Sequence, residues 1–244
     1  MNPALLLTTA GRVLRQLRAD PRSMALLLIV PALLLTLFYW IYRDSPELFS
    51  FVAVVMTAIL PLSLMFIVSS VTMQRERANG TLERLWTTRL HRVDLIGGYA
   101  LAFGILAVAQ SLILALVMDL FMDVEMQAGW WVLALIAGVT GLAGLSLGLL
   151  GSAFARSEFQ AVQLMPVLII PQILLCGLLV PREELPDLLR WFSAVLPLSH
   201  AVDAVTVAAR SGVTGEVVAD TIRCLAFALV FLALAAVTMP RQTR

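Results

Sequence analysis

The sequence predicts an all-α polytopic membrane protein with six membrane-crossing helices, and three observations predict it. The chain is 60% hydrophobic and only 14% charged over 244 residues, far more apolar than a soluble domain of that size. Charge-free runs recur at 23–42, 48–74, 95–118, 126–155, 159–181 and 224–240. All but the last reach the ~20 apolar residues that cross the hydrocarbon of a bilayer, and the last gains length by starting before Arg223, whose long side chain can snorkel. Arginine, finally, alternates in density between successive loops. With the N-terminus placed inside, twelve arginines fall on the inner side (12, 15, 18, 22, 75, 77, 84, 89, 92, 156, 241 and 244) and five on the outer side (43, 182, 190, 210 and 223). That asymmetry follows the positive-inside rule and puts both termini in the cytoplasm. One transmembrane domain, 1–244, is expected, with spans at 23–42, 51–73, 95–118, 130–154, 159–180 and 218–239.

Residues 1–22 read as a basic amphipathic helix on the inner surface of the membrane, with Leu5, Leu6, Val13, Leu14 and Leu17 set against Arg12, Arg15 and Arg18. A cleaved signal peptide is not expected, since the following apolar run is too long for one and Tyr42-Arg43-Asp44 is no small-residue cleavage site. Span one carries Pro31 and ends in Phe38, Tyr39, Trp40 and Tyr42, aromatics suited to the headgroup level. Span two carries Pro61 and a polar stripe of Ser63, Ser69, Ser70 and Thr72. Such hydroxyls either line a pathway or bond back to a helix.

The stretch 74–94 organises the rest. It packs five arginines, three acids and a histidine between two membrane-length runs. Leu82, Leu85, Trp86 and Leu90 recur at the spacing of one helix face, so residues 75–93 read as a short amphipathic helix along the membrane, entered through the break Asn79-Gly80-Thr81. The alternative is an ordinary basic cytoplasmic loop.

Span four is glycine-rich, and Gly144-x-x-x-Gly148 permits two helix backbones to approach closely. The same residues spell a G-x-S-x-G around Ser146, but a nucleophile elbow needs a strand before it and a helix after it. With His91 and His200 expected at opposite membrane faces, no catalytic residue is assigned. Span five brings Gln160, Gln163 and then Pro166 and Pro171, which predict kinks. Residues 182–211 are too apolar for a simple loop. Leu185, Leu188, Leu189, Phe192 and Leu196 keep helical spacing until Pro197 breaks the run. Two short helices at the outer face are expected, re-entrant or interfacial.

Composition excludes several functions. Every one of the seventeen basic residues is arginine, and a Walker A loop needs lysine on its phosphates, so ATP hydrolysis must come from another chain. A net charge of +1 argues against nucleic acid. Cys176 and Cys224 lie in or beside spans and read as packed small residues, and no metal site is expected. Uncharged spans and the lack of an internal repeat argue against an ion-coupled secondary transporter, which the helix-breaking prolines keep as the alternative. A membrane enzyme would need acid, base or nucleophile groups converging at one depth, and none do.

Two blocks carry a resemblance. Arg75-Glu76-Arg77, Gly80-Thr81-Leu82-Glu83-Arg84-Leu85, Thr88, Arg92 and Gly97 form one; Val180-Pro181-Arg182-Glu183-Glu184-Leu185-Pro186 and Leu196-Pro197-Leu198-Ser199-His200 form the other. Together with the six-span pattern they resemble the membrane permease subunit of type-2 ABC exporters, nearest to the short daunorubicin-resistance-type permeases. Thr88-Arg89 stands where many members have Thr-Pro, and Gly98-Tyr99 where many have Gly-Lys.

The resemblance implies a multi-pass protein of the bacterial plasma membrane, in keeping with an arginine-, alanine- and valine-rich composition. It implies two permease copies, as a homodimer or with a related permease, in the lipid bilayer with two copies of an ABC ATPase. The chain would hold no cofactor itself, since the ATPase binds ATP and Mg. Arg77, Gly80, Thr81, Leu82, Glu83, Arg84, Leu85, Trp86 and Arg89 would form the ATPase-coupling segment, with Leu82, Leu85 and Trp86 facing the membrane domain. The pathway would run between the copies past Tyr39, Met65, Ser69, Gln160 and Gln163. Pro181, Glu183, Leu185, Pro186, Pro197 and His200 would shape the outer re-entrant segment. The cargo expected is a hydrophobic drug-like or lipid-like compound, or else a lipid-linked saccharide.

Overall fold

Helices begin where proline stands. In the computed structural model, which describes residues 3–82, 91–122, 124 and 126–238, four helices open on Pro3, Pro21, Pro46 and Pro197. Proline suits a first helical turn because the N–H it lacks would have no partner there. The helices are α1 (Pro3–Ala19), α2 (Pro21–Ile41), α3 (Pro46–Ala78), α4 (Arg92–Phe121), α5 (Trp130–Ser152), α6 (Glu158–Leu175), α7 (Asp187–Ala194), α8 (Pro197–Ser211) and α9 (Gly215–Thr238). A single 3₁₀ turn, Arg182–Glu184, precedes α7, and no strand occurs among the described residues. Six helices, α2 to α6 and α9, are long and apolar enough to cross a membrane. The pair α7–α8 bends by 87° at its break, the shape of a re-entrant hairpin or a broken span.

The bundle has two ends. The proximal end gathers α1, the C-terminus of α3, the start of α4, residues 152–158 and the end of α9. The distal end gathers 42–46, 122, 124, 126–129 and 176–215. At 33 residues α3 is about 50 Å long, well beyond a ~30 Å hydrocarbon layer, so it projects from it. Residues 75–78 are therefore the last turn of α3, and the helix break falls after them, with Asn79 as cap and Gly80 at φ +66°. That left-handed conformation is open to glycine without strain.

α3 and α5 form the core. Of their apolar windows 72% and 83% are buried, against 17% for each of α2, α6 and α9. Glycine sets the contact. A Cβ on Gly144 would stand 2.0 Å from the carbonyl oxygen of Leu62, and one on Gly148 would stand 2.1 Å from Ser69 Oγ and 2.4 Å from Phe66 O. In an apolar solvent helices gain nothing from hiding apolar surface, so close van der Waals packing of this kind must hold them. Ser69 Oγ lies 2.6 Å from Met65 O on its own helix and 3.1 Å from Leu145 O across the seam. The prolines Pro31, Pro61, Pro166 and Pro171 all lie inside continuous helices.

α1 does more than rest on a membrane surface. Thr9, Ala10 and Val13 are buried, and the first turns of α4 receive them. Gly97 and Gly98 permit the approach: a Cβ on Gly98 would be 2.6 Å from Thr9 Cβ and 3.1 Å from Leu6 O.

Candidate coupling site at the proximal end

Four consecutive residues in the last turns of α3 hold three other parts of the bundle, the end of α5, the start of α6 and α1. A helix turns 100° per residue, so Gln74, Arg75, Glu76 and Arg77 leave the axis in four directions. Gln74 Nε2 donates to Ser152 O and Ala155 O, both at 2.6 Å, closing the C-terminus of α5. Arg75 Nε donates to Glu158 Oε2 at 3.1 Å in the first turn of α6. Glu76 accepts a two-pronged pair from Arg12 of α1, at 2.6 and 3.0 Å, and a longer bond from Gln16 Nε2 at 3.4 Å. Arg77 Nη1 donates to Ser152 O at 2.6 Å. Tyr99 of α4 completes the group, its hydroxyl 3.3 Å from Arg12 Nη2.

The electrostatics explain the arrangement. The last carbonyls of a helix have no intrahelical partner and carry its negative pole. Ser152 O meets both an amide and a guanidinium, so α5 ends on donors instead of water. Glu76 and Arg77 are both buried, with 5% and 7% exposure. Glu76 is compensated by a bidentate guanidinium, the strongest geometry open to a carboxylate. Burial of Arg12 acts to lower its pKa; the hydrogen bond and charge of Glu76, with Tyr99, outweigh this and hold it above the ordinary arginine value. Asp94 is buried in the first turn of α4, where the helix dipole favours an acid, and Arg92 Nη1 reaches Val237 O at the end of α9 at 3.1 Å.

Beyond Gly80 the chain resumes helix at Thr81 and Leu82. Leu82 is 2% exposed and packs into the cluster that includes Val13, Met73, Leu95 and Tyr99. Glu83, Arg84, Leu85, Trp86 and Arg89 lie outside the described residues. Arg77, named with the coupling segment in the sequence, donates through Nη1 to the end of α5.

The residues expected along a pathway divide. Tyr39, Gln160 and Gln163 are exposed on α2 and α6; Tyr39 meets Phe49 edge-on at 5.2 Å, and Gln160 Oε1 accepts from Arg156 N. Met65 and Ser69 are fully buried within the chain instead, because Gly144 and Gly148 draw α5 onto that face of α3. Ser146 is equally enclosed, bonding to Ala143 O within its helix.

At the distal end Pro181, Glu183 and Pro186 are exposed, Leu185 half-buried and Pro197 buried at the start of α8. His200 is buried and bonds to Asp220 of α9. Arg182 pairs with Asp203, and Arg223 with Asp220. The sequence reading named neither Asp203 nor Asp220, and it placed Arg12 on a membrane-surface face and Tyr99 only as a departure from a family pattern; the contacts of all four appear only when distant segments meet. A cleft of about 170 Å³ between α3 and α8, lined by Glu47, Phe51, Val54, Thr206 and Arg210, is smaller than the ~300 Å³ at which drug-sized sites begin. Cys176 and Cys224 are buried and free.

The comparisons with known proteins agree with this architecture. The sequence profile of the ABC-2 type transporter family matches residues 4–209. The chain is 27% identical over 163 residues to "ABC transporter G family member 20" of Dictyostelium discoideum, covering 67% of this chain and 22% of that protein. It is 26% identical over 140 residues to "Probable multidrug ABC transporter permease YbhS" of Escherichia coli K12, covering 57% and 37%. It is 24% identical over 159 residues to "Nodulation protein J" of Bradyrhizobium diazoefficiens, covering 64% and 61%. The chain thus spans between about a fifth and three-fifths of the length of these relatives.

Proposed function

Because the chain belongs to the ABC-2 type transporter family, we propose that it is the permease of an ATP-driven exporter that moves a hydrophobic drug-like or lipid-like compound out of the cytoplasm or inner leaflet. The proximal end faces the cytoplasm, as the arginine asymmetry supports, and two ATPase subunits of another chain dock there. A second permease copy packs along the sparsely buried α2 and α6, so that Tyr39, Gln160 and Gln163 face the pathway between copies. The protein sits in a bacterial plasma membrane. The word "multidrug" in the name of YbhS supports the cargo class.

One observation carries this reading. The four-residue anchor 74–77 stands immediately before the segment 79–91, so a push received there reaches α1, α4, α5 and α6 together. A switch of two states needs such a rigid connection between the site that binds ATP and the elements that move.

Co-purification tests it. The tagged permease, extracted in mild detergent, should bring down a Walker-motif ATPase in equal amount, and Glu83→Ala with Arg84→Ala should uncouple ATP hydrolysis from transport. A permease that comes down alone, and transports in proteoliposomes under an ion gradient without ATP, would establish the secondary-transporter alternative.

A further inference from the structure

The distal hairpin is fastened at one buried ring. His200, in the first turns of α8 and 8% exposed, places Nδ1 2.9 Å from Asp220 Oδ1 on α9. Its Nε2 lies 3.0 Å from the carbonyl oxygen of Ala194, the last residue of α7. Both partners are acceptors only. A neutral imidazole has one N–H and one lone pair, so it can satisfy one of these contacts while the other sets lone pair against lone pair. Both are satisfied only when both nitrogens carry hydrogen. The ring also stacks on Phe227 of α9, with centroids 5.9 Å apart at 20°, a face that attracts a cation.

The charges around it are accounted for. Asp220 is shared with Arg223, 2.7 Å away on the same helix, and Asp203 of α8 is paired with Arg182 from the 3₁₀ turn. The ligand atoms of His200, Asp203 and Asp220 come within 4.8 Å of one another, near enough for a shared cation. The two arginines already neutralise the two carboxylates, however, so a divalent metal would leave a net charge of +2 beside a membrane. A proton on the ring adds only one charge and uses both acceptors.

We propose that His200 is a proton-operated latch: as an imidazolium it ties α7 and α8 to α9 at once, whereas the neutral ring keeps only one of the two contacts, so that deprotonation releases α7 while the buried α8 stays in place. Both contacts are made only while both ring nitrogens carry hydrogen, and one of them is lost when the ring is neutral. Ser193, whose hydroxyl lies 2.9 Å from Leu175 O and 3.0 Å from Ser199 Oγ, keeps the base of the hairpin on α6 in either state. Release therefore swings α7 about that point and leaves the bundle intact. A permease with this device responds to the pH of the compartment its distal end faces.

Spin labels read the hairpin directly, whatever the cargo. In a Cys176→Ala/Cys224→Ala background, Leu188→Cys on α7 and Val218→Cys on α9 are both exposed and can be labelled in lipid nanodiscs. A single short distance is expected at about pH 6, with a second, longer population at about pH 8.5. Asp220→Asn, whose amide can donate to one bare ring nitrogen while the other nitrogen's N–H bonds Ala194 O, should show the shorter distance at both pH values, and His200→Gln should abolish the pH response. An unchanged distance in the unsubstituted latch, or a pH response that survives His200→Gln, would overturn the proposal. Release by a chelator at about pH 6 would also overturn it, in favour of a metal held by the same three side chains.

Discussion

Removing the carboxylate of Glu76 tests whether α1 is a working part of the bundle. Taking one partner from a buried ion pair costs about 3–5 kcal/mol, because the other charge is left without compensation. The two partners are not equally enclosed: the Arg12 side chain keeps 25% exposure and Glu76 only 7%. After Glu76→Ala the arginine can turn toward water, so the cost is at the lower figure, about 3 kcal/mol. That is about 150-fold in the equilibrium between docked and undocked α1, at tenfold per 1.4 kcal/mol. Arg12→Ala strands the carboxylate in the interior and should cost more, near 5 kcal/mol. Arg12→Met with Glu76→Leu removes both charges and should cost less than either alanine variant alone. Hydrogen exchange of the α1 amides reads the docking, and ATP hydrolysis by the complex with the proposed ATPase reads the coupling. Two single substitutions that each shift α1 protection by less than about 0.5 kcal/mol, or that simply add in the double variant, would refute the reasoning.

Two further outcomes are expected. Gly148→Val should abolish assembly in the membrane, since even its Cβ would overlap Phe66 O at 2.4 Å, whereas Gly138→Ala, with its nearest neighbour at 3.4 Å, should leave the yield of folded protein unchanged. A Cβ on Gly80 would meet nothing within 4 Å among the described residues, and its φ of +66° is the constraint on substitution: Gly80→Val should destabilise by about 1–2 kcal/mol and impair ATP hydrolysis by the complex with the proposed ATPase, and Gly80→Asn should be tolerated in the same assay.

Much of the bundle was legible because each signal was local. Charge-free runs mark spans by length alone, and Pro197 marks the bend between α7 and α8, whereas Asn79-Gly80, read from sequence as the entry to an amphipathic helix, is the end of α3. The pair Gly144 and Gly148 announced a close helix contact too, but not its partner. Identifying α3 as the partner also explains why Met65 and Ser69, read from sequence as pathway residues, are sealed inside the chain. What stayed hidden was long-range. Arg12 and Glu76 are 64 positions apart, and nothing in either neighbourhood announces the other. An amphipathic α1 reads equally well against lipid or against protein, since Thr9, Ala10 and Val13 would suit both. His200 and Asp220 look like separate polar residues at the edges of apolar runs until the fold sets one against the other.

The unbroken length of α3 has a mechanical consequence. Its contact with Gly144 and Gly148 is the closest in the bundle core, so the shaft is expected to rock about that point. From Met65 the shaft runs 13 residues to Ala78 and 19 residues to Pro46, arms of about 20 and 29 Å at 1.5 Å per residue. A 2 Å stroke at the short arm becomes about 3 Å at the long one, beside Glu47 and the cleft it shares with α8. Pro61 lies on the long arm one turn from the fulcrum, where its missing N–H leaves the shaft one bond short. The rod would bend there first, and how stiff that single turn is decides how much of the stroke arrives.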